Sequence, residues 1–404
     1  MLKILLLQQY YFPEMTGGAR RAKELSEQFV KNGHSVTVFT AYPRDFRSMP
    51  GFQAKKYEVL NSVVVIRCNT IFSVAKNPIF RMLSYFIYVI HSFIYISQNR
   101  KKYDILISMA PLPSAIAAAL ANKLYKIIHH FDVPDILPDL GISAGMIKNK
   151  LFIKFLYKLE KWVYDYSNSI SAITHGQINN IINKGIRKEK ITYIPDWIDD
   201  TFFRQNLSKY KDEVSGKLVY PGKKLISFIG NIGVLQNPEI FLNIMMSLSE
   251  EKHDEFQFLF IGDGIMLPYL IKKAKKMNLS NVKFIGRVKR EHIPAYMNLS
   301  HILVANYLPN KYLDICIPGK LYEYLMSKTP IIMGAKGEAA NFINKHNAGI
   351  AVPPSDVNAF TKAVYDIIDE KFDYNPNYGE FIRDFSLTKI AKSYESVFKS
   401  LLKN

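Results

Sequence analysis

The stretch LISFIGNIG (225–233) is a continuous apolar run that closes on two glycines. A strand covered on both faces reads as such a run, whereas a half-exposed strand alternates. It is followed by VLQNPE (234–239), where Pro238 and Glu239 suit a first helical turn. Strand, glycine turn and helix in that order open an α/β unit. The pattern then repeats through FQFLFIGDG (256–264), VKFIGRV (282–288), HILVANYLP (301–309), PIIMGAKG (330–337) and GIAVPP (349–354). Toward the amino terminus lies an equivalent series: KILLLQQY (3–10), SVTVFTA (35–41), VVVIRC (63–68), DILISMA (104–110), KIIHHF (126–131), SISAIT (169–174) and ITYIPDW (191–197). Amphipathic helical patterns separate them, such as ARRAKELSEQFVKNG (19–33), which Gly33 is placed to terminate.

Apolar strands alternating with helices imply parallel sheets covered on both faces, an α/β fold. Two series imply two facing Rossmann-like domains, residues 1–203 and 225–385, joined by the polar segment 204–224. The helical pattern LTKIAKSYESVFKSLL (387–402) lies beyond the second series, and 386–404 is expected to cross back onto the first domain.

The 404 residues, 48% hydrophobic and 22% charged, describe a globular chain long enough for two cores. A formal charge of +18 implies an anionic partner: nucleic acid, an acidic membrane or a phosphorylated substrate. Two distant cysteines, Cys68 and Cys316, exclude a disulfide framework and fit a reducing compartment. The opening MLKILLLQQYYFP has an apolar run but no small-residue cleavage site, so it reads as a strand in a cytoplasmic chain.

In such folds ligands bind off the carboxyl ends of the strands. Glycines gather there: Gly17 and Gly18 in the first half, then Gly230, Gly233, Gly262, Gly264 and Gly286. Gly233 would let backbone approach a phosphate at a helix amino terminus, with Asn231 and Gln236 flanking it. Arg287 follows Gly286, and CIPGKLYEYLMSKTP (316–330) sets Lys320 and Glu323 in the first turn of a helix. Lys320 and Glu323 share one helix face, so they are either a surface salt bridge or two prongs of a site. A lysine in a first turn opposes the helix dipole unless an anion is bound beside it, and Lys before Glu is the weaker order for an ion pair. On the second reading, Arg287 and Lys320 balance a diphosphate while Glu323 accepts hydrogen bonds from ribose hydroxyls.

The ordered set Pro-x-x-x-Gly-Gly (13–18), NGHSVTVFT (32–40), ITYIPDWIDDTFF (191–203), GNIG, IGDG, FIGR and PGKLYEYLMSKTPI resembles the GT-B glycosyltransferases of family 4. The likeness is greatest to the bacterial surface-polysaccharide branch that includes N-acetylfucosamine transferase-like and colanic-acid transferase-like proteins. It implies a retaining hexosyl transfer from a nucleoside-diphosphate sugar, with uridine the expected base and neither cofactor nor metal. By resemblance, Gly233, Arg287 and Lys320 surround the diphosphate, and Gly286 is expected among the substrate-binding residues. Glu323 matches the second glutamate of the family's E-x7-E motif, and Gly17 and Gly18 match the glycine loop near donor phosphate and acceptor. The first glutamate of that motif falls at Ile315, leaving Asp314 as the neighbouring carboxylate, and Gln236 and Asn237 replace the basic residue that commonly follows the phosphate loop. In KIIHHFDVPDILPDLG (126–141), which offers His129, His130, Asp132, Asp135 and Asp139, His130 and Asp135 are the expected catalytic polar groups. His34 reads as structural, and DWIDD (196–200) only superficially resembles a metal-binding Asp-x-Asp.

Two segments bear on the charge. NPIFRMLSYFIYVIHSFIYISQNRKK (77–102) approaches the ~20 apolar residues of a membrane span, but Arg81, Ser84, His91 and Ser92 interrupt it. MIKNKLFIKFLYKLEKWVYDY (146–166) interleaves lysines with apolar and aromatic residues. Both read either as core helices or as interfacial helices on an anionic membrane. The second fits the resemblance, whose acceptors are polyprenyl-diphosphate-linked glycans at the inner face of the cell membrane, in O-antigen or capsule synthesis. The competing functions are a GT-B nucleotide-sugar epimerase, a nucleic-acid-binding protein using the basic surface, and a non-catalytic two-domain sensor. No basic tail or compact nucleic-acid module stands out in the chain, which disfavours the second.

Overall fold

The structure is a computed structural model that describes residues 1–14, 16–43, 53–70, 78–218, 220, 222–252 and 255–403. Met15 of the glycine motif, Asn77 of the apolar segment, and Val219 and Pro221 of the expected linker lie outside the described residues. The chain forms two compact units, residues 1–195 with 387–404, and residues 196–386.

The first unit runs β1 (Lys3–Leu7), α1 (Gly17–Lys31), β2 (Ser35–Ala41), β3 (Tyr57–Leu60), β4 (Val63–Cys68), α2 (Pro78–Asn99), β5 (Ile105–Met109), α3 (Leu112–Tyr125), β6 (His129–Val133), α4 (Asp139–Ser143), α5 (Lys150–Asp165), β7 (Ser169–Ala172), α6 (His175–Asn183) and β8 (Ile191–Tyr193). Its sheet has the order β3-β4-β2-β1-β5-β6-β7-β8, parallel except for the β3–β4 pair. β1 and β5, largely apolar, lie at the centre, and the order reverses between them. Helix α1 ends as its sequence demands: Gly33 takes φ +87°, and the His34 N–H donates back to Phe29 O at 3.0 Å. Helices α2 and α5 both pack against α3 and so belong to one layer.

The second unit begins with α7 (Asp200–Lys217) and continues through β9 (Lys224–Ile229), α8 (Ile240–Lys252), β10 (Phe256–Ile261), α9 (Leu267–Lys276), β11 (Val282–Gly286), α10 (Ile293–Leu299), β12 (Ile302–Asn306), α11 (Lys320–Met326), β13 (Ile331–Gly334), α12 (Gly337–Lys345), β14 (Gly349–Val352), α13 (Val357–Ile368) and α14 (Tyr378–Phe385). Six parallel strands take the order β11-β10-β9-β12-β13-β14, so the order reverses between β9 and β12. The last helix, α15 (Leu387–Lys403), belongs to the first unit and packs on α1.

The expected linker 204–224 is instead largely helix. Phe203 and Val214 of α7 are buried in the second unit's core, where α7 packs against α10, and this burial outweighs a polar composition that reads as loop. The second unit starts at Asp196 rather than near 225, since Ile198 N–H donates to Phe385 O at 2.8 Å.

Candidate functional site

Ligands in open α/β sheets sit beyond the carboxyl ends of strands, where the strand order reverses. In the second unit that point lies between β9 and β12. The turn after β9 is built on close glycine contacts. Gly230 has φ +132° and Gly262, after β10, φ +141°. A Cβ on Gly262 would fall 1.9 Å from the Gly230 carbonyl, so only glycine lets the two turns nest. The loop continues through Asn231, Gly233 and Gln236. A Cβ on Gly233 would meet Asn231 Nδ2 and Gln236 Oε1, each at 2.7 Å, so both carboxamides flank it. Asn306, at the end of β12, braces this loop: it donates to Gln236 O at 3.1 Å and accepts from Ser355 N–H at 2.9 Å. Asn237 donates to Ser355 Oγ at 2.9 Å.

Lys320 opens α11, with Gly319 as its N-cap residue. Its side chain leans back onto this turn. Nζ lies 4.0 Å over the Phe228 ring, and 3.0 Å from where a Cβ on Gly230 would stand. That nitrogen is buried and has no hydrogen-bond partner among the described residues, although the residue as a whole keeps some exposure. Burial alone pushes its pKa down to about 7. A desolvated ammonium without a partner is an expensive arrangement that an anion would relieve. Glu323 turns elsewhere, pairing with Arg290 at 3.4 Å. The helix therefore does not close an internal Lys320–Glu323 salt bridge; its two charged side chains engage different neighbours.

Other expected residues take varied places. Gly286 ends β11 at φ +78°, and Arg287 follows it with an exposed side chain. Asp314 lies on a one-turn segment, Leu313–Ile315, whose backbone abuts Gly337. Asp199 caps α7, accepting from Phe202 N–H at 2.9 Å, which gives that aspartate of DWIDD a structural task.

In the first unit the order reverses between β1 and β5, and the loop after β1 leads there into α1, which opens with Gly17 and Gly18. A Cβ on Gly18 would lie 2.9 Å from Gln8 Nε2, so the turn sits hard against the end of β1. His130 departs from expectation. The strand read as 126–131 is displaced to His129–Val133, which moves His130 from the sheet's edge to its interior. Its Nδ1 lies 2.7 Å from Ser169 Oγ and its Nε2 3.0 Å from Ser171 Oγ, and it is 0% exposed. Burial pushes its pKa down to about 4. A wholly enclosed ring with both nitrogens engaged packs the core rather than meeting a sugar. Asp135, beyond the carboxyl end of β6, is exposed.

Sequence reading offered Asp132 but gave it no role. Burial works to raise its carboxyl, yet Arg21 at 2.8 Å, with hydrogen bonds from Tyr394 at 2.6 Å and Ser171 at 2.8 Å, holds it below the usual carboxylate range. Arg290 it missed altogether. The lysine-rich composition gave no sign of either pairing, because the partners lie 111 and 33 residues away.

Residues 16–197 match the family "Glycosyl transferase 4-like domain", and residues 223–370 match "Glycosyl transferases group 1". The putative colanic acid biosynthesis glycosyl transferase WcaI of Escherichia coli is 25% identical over 337 residues, 80% of this chain and 81% of WcaI. An α-1,4-N-acetyl-D-galactosaminyltransferase of Campylobacter jejuni, named for an acceptor linked to PP-undecaprenol, is 24% identical over 47% of this chain and 52% of its own. Among solved structures, HepE of Anabaena, in complex with UDP and glucose, superposes with a TM-score of 0.74 over 99% of this chain and 100% of HepE, at 12% identity. The chain belongs to the GT-B glycosyltransferases that carry these two domains.

Proposed function

We propose that this enzyme transfers a sugar from a nucleoside diphosphate, UDP being the favoured carrier, to a polyprenyl-diphosphate-linked glycan, with retention of anomeric configuration, in bacterial surface-polysaccharide synthesis. The observation that carries the donor half is the buried ammonium of Lys320, without a hydrogen-bond partner among the described residues, beside the nested glycine turns at the strand-order reversal. The diphosphate would rest against Lys320, the Gly230–Gly233 turn and Arg287, with Asn231 and Gln236 supplying neutral contacts and Glu323 the ribose. The solved HepE complex with UDP and the Campylobacter relative's lipid-linked acceptor support this choice of substrates.

With no enzymic nucleophile assigned, the leaving diphosphate serves as base. The acceptor hydroxyl oxygen bonds to the anomeric carbon as the bond from that carbon to the phosphate oxygen breaks, and the hydroxyl proton passes to a diphosphate oxygen. Lys320 and Arg287 stabilise the charge that grows on the leaving group. Asp135, exposed beyond the end of β6, is the first-unit carboxylate offered to the acceptor. The reaction as written needs neither metal nor cofactor.

The acceptor's lipid accords with α2. Its buried stripe is Ser84, Tyr88, Ser92 and Ile96, while Phe80, Met82, Leu83, Phe86, Ile90 and Ile94 are 42–62% exposed. This reverses the usual arrangement of a soluble helix, greasy outside and hydroxylated within. In the same layer α5 exposes Leu151 and Phe155 among Lys150, Lys154 and Lys158. Such a surface suits peripheral binding to the anionic inner face of a cell membrane. Tyr95 does not belong to it, since it stacks on Phe39 at 4.8 Å and bonds Tyr103.

A panel of UDP-, GDP- and dTDP-sugars with a polyprenyl-diphosphate glycan, read by product formation and by NMR of the new linkage, tests the proposal. Arg287→Ala should lower turnover strongly. Product of inverted configuration, or turnover of a free nucleotide sugar to its epimer without an acceptor, would replace it with another reaction.

A further inference from the structure

Arg290 is held from two sides. Its Nη1 lies 3.4 Å from Glu323 Oε1, and its guanidinium carbon lies 4.6 Å over the Phe202 ring. Phe202 is itself anchored, because its backbone N–H caps α7 on Asp199 and the adjacent Phe203 is buried in the core. Both charged side chains are 22% exposed, and with Phe202, Ile293 and Met326 they line one open recess. A stacked guanidinium is planar and pre-organised in a way that an ammonium is not. A carboxylate accepts several hydrogen bonds at once, so an arginine and a vicinal diol can share it.

We infer that Arg290 is a positioning residue for the donor's ribose: stacked on Phe202, it fixes the Glu323 carboxylate in the orientation that receives the two ribose hydroxyls. The inference rests on the reading of Glu323 as ribose acceptor. The order of parts is a relay from α7 through Phe202 and Arg290 to Glu323. It lies in the second unit alone, and Lys320 plays no part in it.

Calorimetric titration of the full-length protein with UDP or GDP, whichever binds more tightly, and with its 2′-deoxy counterpart separates the two ideas. The wild type should prefer the ribonucleotide, and Glu323→Gln should erase that preference. Arg290→Met should reduce the preference by about fivefold, the upper range for a solvent-touching ion pair, while leaving affinity for the deoxynucleotide unchanged. Arg290→Lys should restore it only in part. A merely structural arginine would shift thermal stability and both ligands alike. If Arg290→Met keeps or sharpens the preference while Glu323→Gln loses it, the positioning role is wrong and the arginine competes with ribose instead. If Glu323→Gln keeps the preference, the ribose assignment itself falls.

Discussion

Replacing Lys320 with methionine should make the unliganded protein more stable while spoiling donor binding. The methionine preserves most of the stem and removes the ammonium that the fold buries without a partner. The fall from the ordinary 10.5 to about 7 is a penalty on the order of 5 kcal/mol against the charged form, at ~1.4 kcal/mol per pKa step. Losing the contact over Phe228 returns about 1–2 kcal/mol of that. A net gain of roughly 3–4 kcal/mol remains, worth several degrees in a unit of this size. The sign follows from a folded pKa below the unfolded one. The penalty is full below pH 7, fades as pH rises, and is gone above pH 10.5. Thermal denaturation of the wild type and variant across that window should show the variant's advantage shrinking with pH. Nucleotide affinity should fall by about tenfold or more, the size of a lost charge-assisted hydrogen bond. In the wild type, donor binding above pH 7 should take up protons, measurable by calorimetry in buffers of different ionisation enthalpy. A variant that is less stable at neutral pH and binds donor as before would show that the ammonium does structural work.

Three further outcomes are expected. Arg21→Met leaves the Asp132 carboxylate buried without its countercharge and should cost about 3–5 kcal/mol, seen as an early melt of the first unit. Replacing Phe86, Ile90 and Ile94 together with serine should release the protein from anionic liposomes with little change in melting temperature; unchanged co-sedimentation would mean that this face contacts something else. Glu160 is 1% exposed, and burial, opposed by Lys184 at 2.8 Å, raises its pKa to about 7. A folded pKa above the unfolded 4.5 means stability present below that value is lost as pH rises through 7, so Glu160→Gln should flatten the pH dependence of melting.

What could be read in advance follows from which forces are local. Parallel strands buried on both faces announce themselves as apolar runs, so thirteen of the fourteen strands among the described residues were readable as short segments. The exception, β3, is an edge strand whose exposure alternates along Tyr57–Leu60, and it carries no apolar signature. β6 misled because its histidines look like the end of a strand. Their hydrogen-bond partners, Ser108, Ser167, Ser169 and Ser171, come from neighbouring segments and make two polar rings acceptable in a core. The glycine turns and the first-turn position of Lys320 were legible, since turns and helix starts are set by adjacent residues. The burial of its ammonium and the Arg290–Glu323 pairing were not, because they depend on how distant segments meet.

The same division of the chain bears on its synthesis. The buried Asp132 carboxylate accepts from Tyr394, and Glu395 pairs with Asn32 at 2.6 Å and His34 at 3.3 Å, so the first unit is finished by residues made after the whole of the second. The second unit is one uninterrupted stretch and has all its parts as soon as Ser386 leaves the ribosome. On a translating ribosome the amino-terminal portion must wait, incomplete, while its younger neighbour folds, an inversion of the usual vectorial order.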